Sequence, residues 1–212
     1  FSGCSKLTEV ILHEGLRTLG PDAFQNCRQL VFISLPSSLT TLTAGTFSGC
    51  ISLEEVPLPE GLTSIGENAF SGCTGLCNVA FPRTLLEIQD SAFEGCAALE
   101  TVTLPEGFIK LSLKAFKDCT ALSSVRLGDA TQSIGARCFH NCTALRDVYL
   151  TASLLTIEED AFAREATGYS KDELLDSVTF HCPKDSYAWK YGRLAHFALD
   201  QTNAGSETDG PK

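Results

Sequence analysis

The stretch Leu53-Glu54-Glu55-Val56-Pro57-Leu58-Pro59-Glu60-Gly61-Leu62-Thr63-Ser64-Ile65-Gly66-Glu67-Asn68-Ala69-Phe70-Ser71-Gly72-Cys73 decides the fold, because most of its letters return every 23 residues. Phenylalanine stands at Phe1, Phe24, Phe47, Phe70, Phe93, Phe116, Phe139 and Phe162. Cysteine follows three residues later, at Cys4, Cys27, Cys50, Cys73, Cys96, Cys119 and Cys142. Leucine comes three after that (Leu7 to Leu145), then Val or Ile (Val10 to Val148), then Leu or Phe two further on. A fixed period of this length means stacked copies of one small unit, each unable to bury its apolar side alone.

The spacing within a copy has a physical meaning. Val10 and Leu12 are two apart, so they point to one face of a short strand. Pro36, Pro59, Pro82 and Pro105 follow the strand and cannot donate to a ladder, so pairing ends there. Gly20, Gly66 and Gly135 mark a bend. Glu67 to Cys73 is too short for an independent helix, and predicts a single α or 3₁₀ turn pinned by Phe and Cys.

The pattern Leu-x-x-Val-x-Leu-Pro-x-x-Leu-x-x-Ile-Gly-x-x-Ala-Phe-x-x-Cys resembles the BspA-like, or Treponema-type, leucine-rich repeat over roughly residues 1–199. The Asn ladder of the commoner leucine-rich repeat is missing, and Gly15, Ser38, Gly61, Thr84, Gly107, Ala130 and Ser153 stand in its place. The resemblance implies an α/β-type repeat solenoid: a curved right-handed stack with a parallel sheet of about eight strands on its concave side. It also implies a bacterial surface or secreted protein linked to adhesion, located at the cell surface, outside the cell or in the periplasm.

The chain divides into repeats over 1–165, a last strand and C-terminal cap over 166–199, and a tail over 200–212 expected to be disordered. The eighth unit is irregular, with Glu165 where Cys is due. Val178 and Phe180 take up the strand pattern 30 residues after Val148 and Leu150, which places about seven extra residues within 163–174 as a loop, helix or protrusion. This alignment sets Thr179 beside Tyr149, Ser177 beside Asp147, and His181 in the column of His13. The run Ser186-Tyr187-Ala188-Trp189-Lys190-Tyr191 predicts a capping helix, with Trp189 covering the last core layer. The first unit begins in mid-repeat without a signal peptide, which suggests a trimmed or processed chain and self-association through its first coil, hence a possible homo-oligomer.

Composition narrows the function. A formal charge of −10 disfavours nucleic acid and anionic membrane, and no apolar run is long enough to insert into a bilayer. The ten cysteines admit three readings: metal ligands, a disulfide framework, or buried thiols. Metal sites need close ligand pairs, and only Cys73/Cys77 and Cys138/Cys142 come near that spacing. Ladder side chains run parallel rather than converge, which makes bridging awkward. Buried thiols fit a core column best, with Cys77 the most reachable. Four dispersed histidines, with no nucleophile elbow or phosphate loop, give no support for an enzyme or a cofactor.

Binding remains, and the strand register says where. The residues between core positions face the open side of the sheet and vary freely. Candidate binding residues are Ile11, Val31, Phe32, Pro57 and Ala80 in the first half, and Arg126, Arg146 and Tyr149 in the second. The expected partner is a protein, either a host or matrix protein or a second copy of the chain. The alternative function is a self-assembling structural protein that joins through its apolar N-terminal half and first repeat.

Overall fold

The computed structural model describes residues 1–158, 160–164, 173–175 and 177–201. In chain order, the first two coils give β1 (Glu9–Ile11), β2 (Phe32–Ser34) and β3 (Thr41–Leu42). The next two give β4 (Ser64–Ile65) and β5 (Glu87–Ile88). Three coils follow with two strands each: β6 (Thr101–Thr103) and β7 (Lys110–Leu111), β8 (Ser124–Arg126) and β9 (Ser133–Ile134), β10 (Asp147–Tyr149) and β11 (Thr156–Ile157). The chain then forms β12 (Ala163–Arg164), β13 (Glu173–Leu174), β14 (Thr179–Cys182), helix α1 (Tyr187–Leu194) and β15 (Ala198–Gln201).

The solenoid and its parallel concave sheet are as the repeat implies. That sheet runs β1-β2 and then β6-β8-β10-β14-β15. Between them, coils three and four are joined by the single bridge Glu55–Asn78. Pro57 lies in this gap and has no N–H to lend to a ladder. A second parallel sheet, β3-β4-β5-β7-β9-β11, lines another side of the stack. The sequence reading gave each unit one strand; the Leu62/Ile65 type of pair belongs to this second one.

The expected helical turn is also different. Cys73 N–H bonds Phe70 O at 3.0 Å, as in a tight turn, but Asn68, Phe70 and Gly72 send their N–H groups to the next coil at 3.0, 2.7 and 2.7 Å. Asn68 and Gly72 have φ of 54° and 71°, so the backbone alternates in hand and cannot continue as a helix. The segment is a third inter-coil ladder. Gly66 marks close approach rather than a simple bend: a Cβ there would lie 2.7 Å from Leu42 O.

Phenylalanine and cysteine columns run through a core completed by columns of Leu, Ile and Val. Neighbouring phenylalanine rings from Phe1 to Phe162 stack at 5.0–5.7 Å. Each ladder thiol from Cys27 to Cys142 donates to the phenylalanine carbonyl one coil back, at 3.0–3.3 Å. The thiols therefore face carbonyls rather than one another. All ten cysteines are free, and Cys4 and Cys77 are the two that are exposed.

At the C-terminal end, Ser186 caps α1 by accepting from Trp189 N–H at 3.1 Å. Ala188 and Gly192 are buried, and Trp189 and Tyr191 pack on the core as cap residues. Two sequence expectations change here. Val148 pairs with Phe180, not Val178, so the insertion is two residues longer than the sequence suggested. Phe180 wins the core position because its ring meets Phe162 at 5.0 Å and 62°, while Cys182 fills the next inward site. Furthermore, β15 carries Asp200 and Gln201 into the sheet beside β14, past the expected boundary at 199. The expected tail from 202 onward, and the interior of the insertion at 165–172, lie outside the described residues. The insertion is bounded by the antiparallel pair β12–β13.

Burial holds the inner thiols as protonated groups. Cys50 is pushed up to about 12 from 9.0, and Cys182 to about 11. Because these folded-state values are raised, the stability they carry is complete below pH 9.0 and is lost as pH climbs towards 12. Denaturant titration from pH 7 to 11 should show this fall. Thiol titration of the native protein should find two fast groups, Cys4 and Cys77, and ten after unfolding. Phe93→Ala should destabilise the stack by about 3–5 kcal/mol in urea denaturation, because the ring is fully buried between two neighbours.

Candidate functional site

The concave face offers two groups of residues. At the N-terminal end, Ile11, Val31 and Phe32 are 60, 54 and 44% exposed on adjacent coils. Val10 and Ile33 turn into the stack, so strand alternation forces their neighbours outward. Glu9, Glu54 and Glu55 stand beside them, also exposed. Pro57 and Ala80 are exposed in the middle of the face, where the ladder is interrupted. Ile11, Phe32, Pro57 and Ala80 each adjoin an inward residue and so face outward; Val31 lies ahead of β2, two residues before Ile33 in the rim column of Arg146, and alternation does not place it.

The C-terminal group is more highly organised. Registers Thr103–Arg126 and Arg126–Tyr149 continue to Tyr149–His181 and His181–Asp200. The Arg126 guanidinium lies over the Tyr149 ring at 4.0 Å. The opposite neighbour of that ring is His181, stacked at 4.4 Å and 13°. His181 Nε2 is hydrogen-bonded with Asp147 Oδ1 at 2.8 Å, and Nδ1 with Asp200 Oδ2 at 2.9 Å. One row therefore reads cation, ring, ring, carboxylate, with each member fixing the next. Arg146, the remaining candidate, stays on the rim: its Nη1 donates to the carbonyls of Thr143 and Leu145 and to Ser177 Oγ.

Sequence reasoning placed Arg126, Tyr149 and Asp147 on this face but missed His181 and Asp200. It set Thr179 beside Tyr149; the structure sets Thr179 beside Asp147 and His181 beside Tyr149. His181 therefore stands in the row that begins at Ile11, two residues from the His13 column it was assigned to. Strand periodicity is two, so a slip of two residues leaves every inward and outward position unchanged and gives no warning. Asp200 joins only because the chain returns after α1 as a further parallel strand.

A smaller apolar groove lies on the second sheet, lined by Thr63, Ser64, Leu86, Glu87, Ile109 and Lys110. Glu87 is held below the usual carboxylate range by hydrogen bonds from Gln89 and Ser64 and by the Lys110 charge. Among the described residues no group of three or more His, Cys, Asp or Glu could hold a metal ion.

Two substitutions test the row. His181→Gln cannot span both carboxylates, so amide hydrogen exchange should quicken in β15 while the central coils keep their protection, with a global loss of about 1 kcal/mol. Tyr149→Ala removes the ring beneath Arg126 and should cost about 0.5–1 kcal/mol of cation–π energy on top of lost packing, measured in a double-mutant cycle with Arg126→Ala.

Comparison with known proteins agrees with this geometry. No curated protein matches the chain. The leucine-rich repeat protein of T. pallidum superposes with a TM-score of 0.66 at 27% identity, over 94% of this chain and 88% of that one. A leucine-rich repeat protein from Eubacterium ventriosum superposes with a TM-score of 0.68 at 30% identity, over 77% of this chain and 45% of that one. A leucine rich cell surface protein from Faecalibacterium prausnitzii shares the fold at 19% identity and a TM-score of 0.51, over 97% of this chain and 62% of that one. The family model of the BspA type leucine rich repeat region matches residues 1–74 and 43–168, in six copies. The chain belongs to the BspA-type leucine-rich repeat family.

Proposed function

We propose that the chain is a protein-binding module that engages its partner through the concave face and works in adhesion or protein–protein contact at a bacterial surface or after secretion. The observation that carries this reading is the exposed apolar group Ile11, Val31 and Phe32 on the same sheet as the ordered Arg126–Tyr149–His181 row. Apolar side chains beside rigid Arg and Tyr anchors are what protein interfaces use. The surface location is supported by fold likeness to the F. prausnitzii protein, whose name describes a cell surface protein. No helix among the described residues is long and apolar enough to cross a membrane.

A second reading, self-association through the apolar N-terminal half, draws on the same exposed group of Ile11, Val31 and Phe32. Phe32→Glu separates the two. In light scattering and in binding to immobilised extracellular-matrix proteins, the protein-binding reading expects unchanged mass and lost binding. A wild-type oligomer that dissociates on Phe32→Glu, with no matrix protein bound, would favour self-assembly instead.

A further inference from the structure

Among the described residues the Arg126 guanidinium forms no ion pair or hydrogen bond, and it lies over the Tyr149 ring. Lys117, by contrast, pairs with Glu94 and Asp118 at 3.0 and 2.7 Å. Tyr149 itself is held from behind by His181, and His181 by Asp147 and Asp200. The side chain of Arg126 is thus oriented before anything binds, and its donor edge is open to solvent. Thr101, Thr103 and Ser124 project from β6 and β8 on the same face, and among the described residues none of their hydroxyls has a protein partner. A fixed guanidinium ringed by free hydroxyls is a receptor for a planar anion, and a carboxylate matches its fork.

The other end of the face specifies the rest of the ligand. Ile11, Val31 and Phe32 call for an apolar side chain, and Glu9, Glu54 and Glu55 beside them favour a neighbouring cation. From Ile11 to Arg126 the stack advances five coils, about 24 Å at the usual strand spacing. An extended polypeptide covers that distance in about seven residues. A free phosphate fits less well, because it would leave the apolar group Ile11, Val31 and Phe32 uncovered.

We propose that the concave face binds an extended peptide segment of a partner protein, with an Asp or Glu side chain seated on Arg126 and an apolar residue, next to a basic one, about seven positions away on Ile11 and Phe32. This inference rests on the concave-face binding reading above and adds the chemistry and polarity of the ligand.

The probe is a displayed library of random peptides about twelve residues long, longer than the span requires. It is selected in parallel on the wild type, Arg126→Gln, Arg126→Glu and Arg83→Gln, the last an exposed arginine off this face. Wild type and Arg83→Gln should enrich an acidic position and an apolar position at the stated separation. Arg126→Gln should lose the acidic preference and weaken a selected peptide about tenfold. Arg126→Glu should exchange it for Lys or Arg. Circular dichroism confirms that the variants remain folded. Enriched peptides that lack an acidic position, or that bind Arg126→Gln equally well, would overturn this inference and leave concave-face binding standing. If the folded wild type enriches nothing, both fall.

Discussion

Each coil gives its neighbour two things: a phenylalanine ring at 5.0–5.7 Å and a thiol that reaches a carbonyl at 3.0–3.3 Å. The rest of the molecule depends on this pair. The ring supplies apolar area and a stacking partner worth about 0.5–1.5 kcal/mol beyond burial. The thiol is a second donor to a carbonyl that already accepts the cysteine N–H of its own coil, so it fills the remaining lone pair and ties one coil to the next. Cysteine suits the site because it is small, largely apolar and still able to donate. The column is structural, and its chemistry is silenced by burial.

Because the stack holds itself together from inside, its outer rows are released from any packing duty. The concave rows can therefore carry Ile11, Pro57, Thr103, Arg126 and Tyr149 in one register without disturbing the core beneath. The two ends of the face differ in character. The N-terminal end is apolar with acidic neighbours, and the C-terminal end is an ordered chain of Arg126, Tyr149, His181 and Asp200. The interruption at Pro57 lies between them.

The C-terminal cap does more than close the core. Phe180 and Phe197 complete the aromatic column, while β14 and β15 deliver His181 and Asp200 to the concave face. Capping and site building use alternate residues of β14 and β15, as strand geometry requires. This is why a residue of the cap stands in the row that the repeats began.

Much was legible in the letters alone. The period fixed the solenoid, the buried Phe and Cys columns and the outward placement of Ile11, Phe32, Arg126 and Tyr149, because those follow from local alternation and repetition, and the aromatic run at 187–191 marked the capping helix. What the letters could not fix was whatever depends on which neighbour a strand meets. The second strand of each coil escaped notice because Thr41–Leu42 and its equivalents are too short to show alternation. His181 was placed two residues out of register because a two-residue slip preserves every face. Asp200 was counted as tail because nothing local marks a polar segment as a strand until β14 offers it a free edge. The sequence determined what is buried; only tertiary pairing decided which exposed residues meet, and the Asp147–His181–Asp200 bridge behind Tyr149 is the product of that pairing.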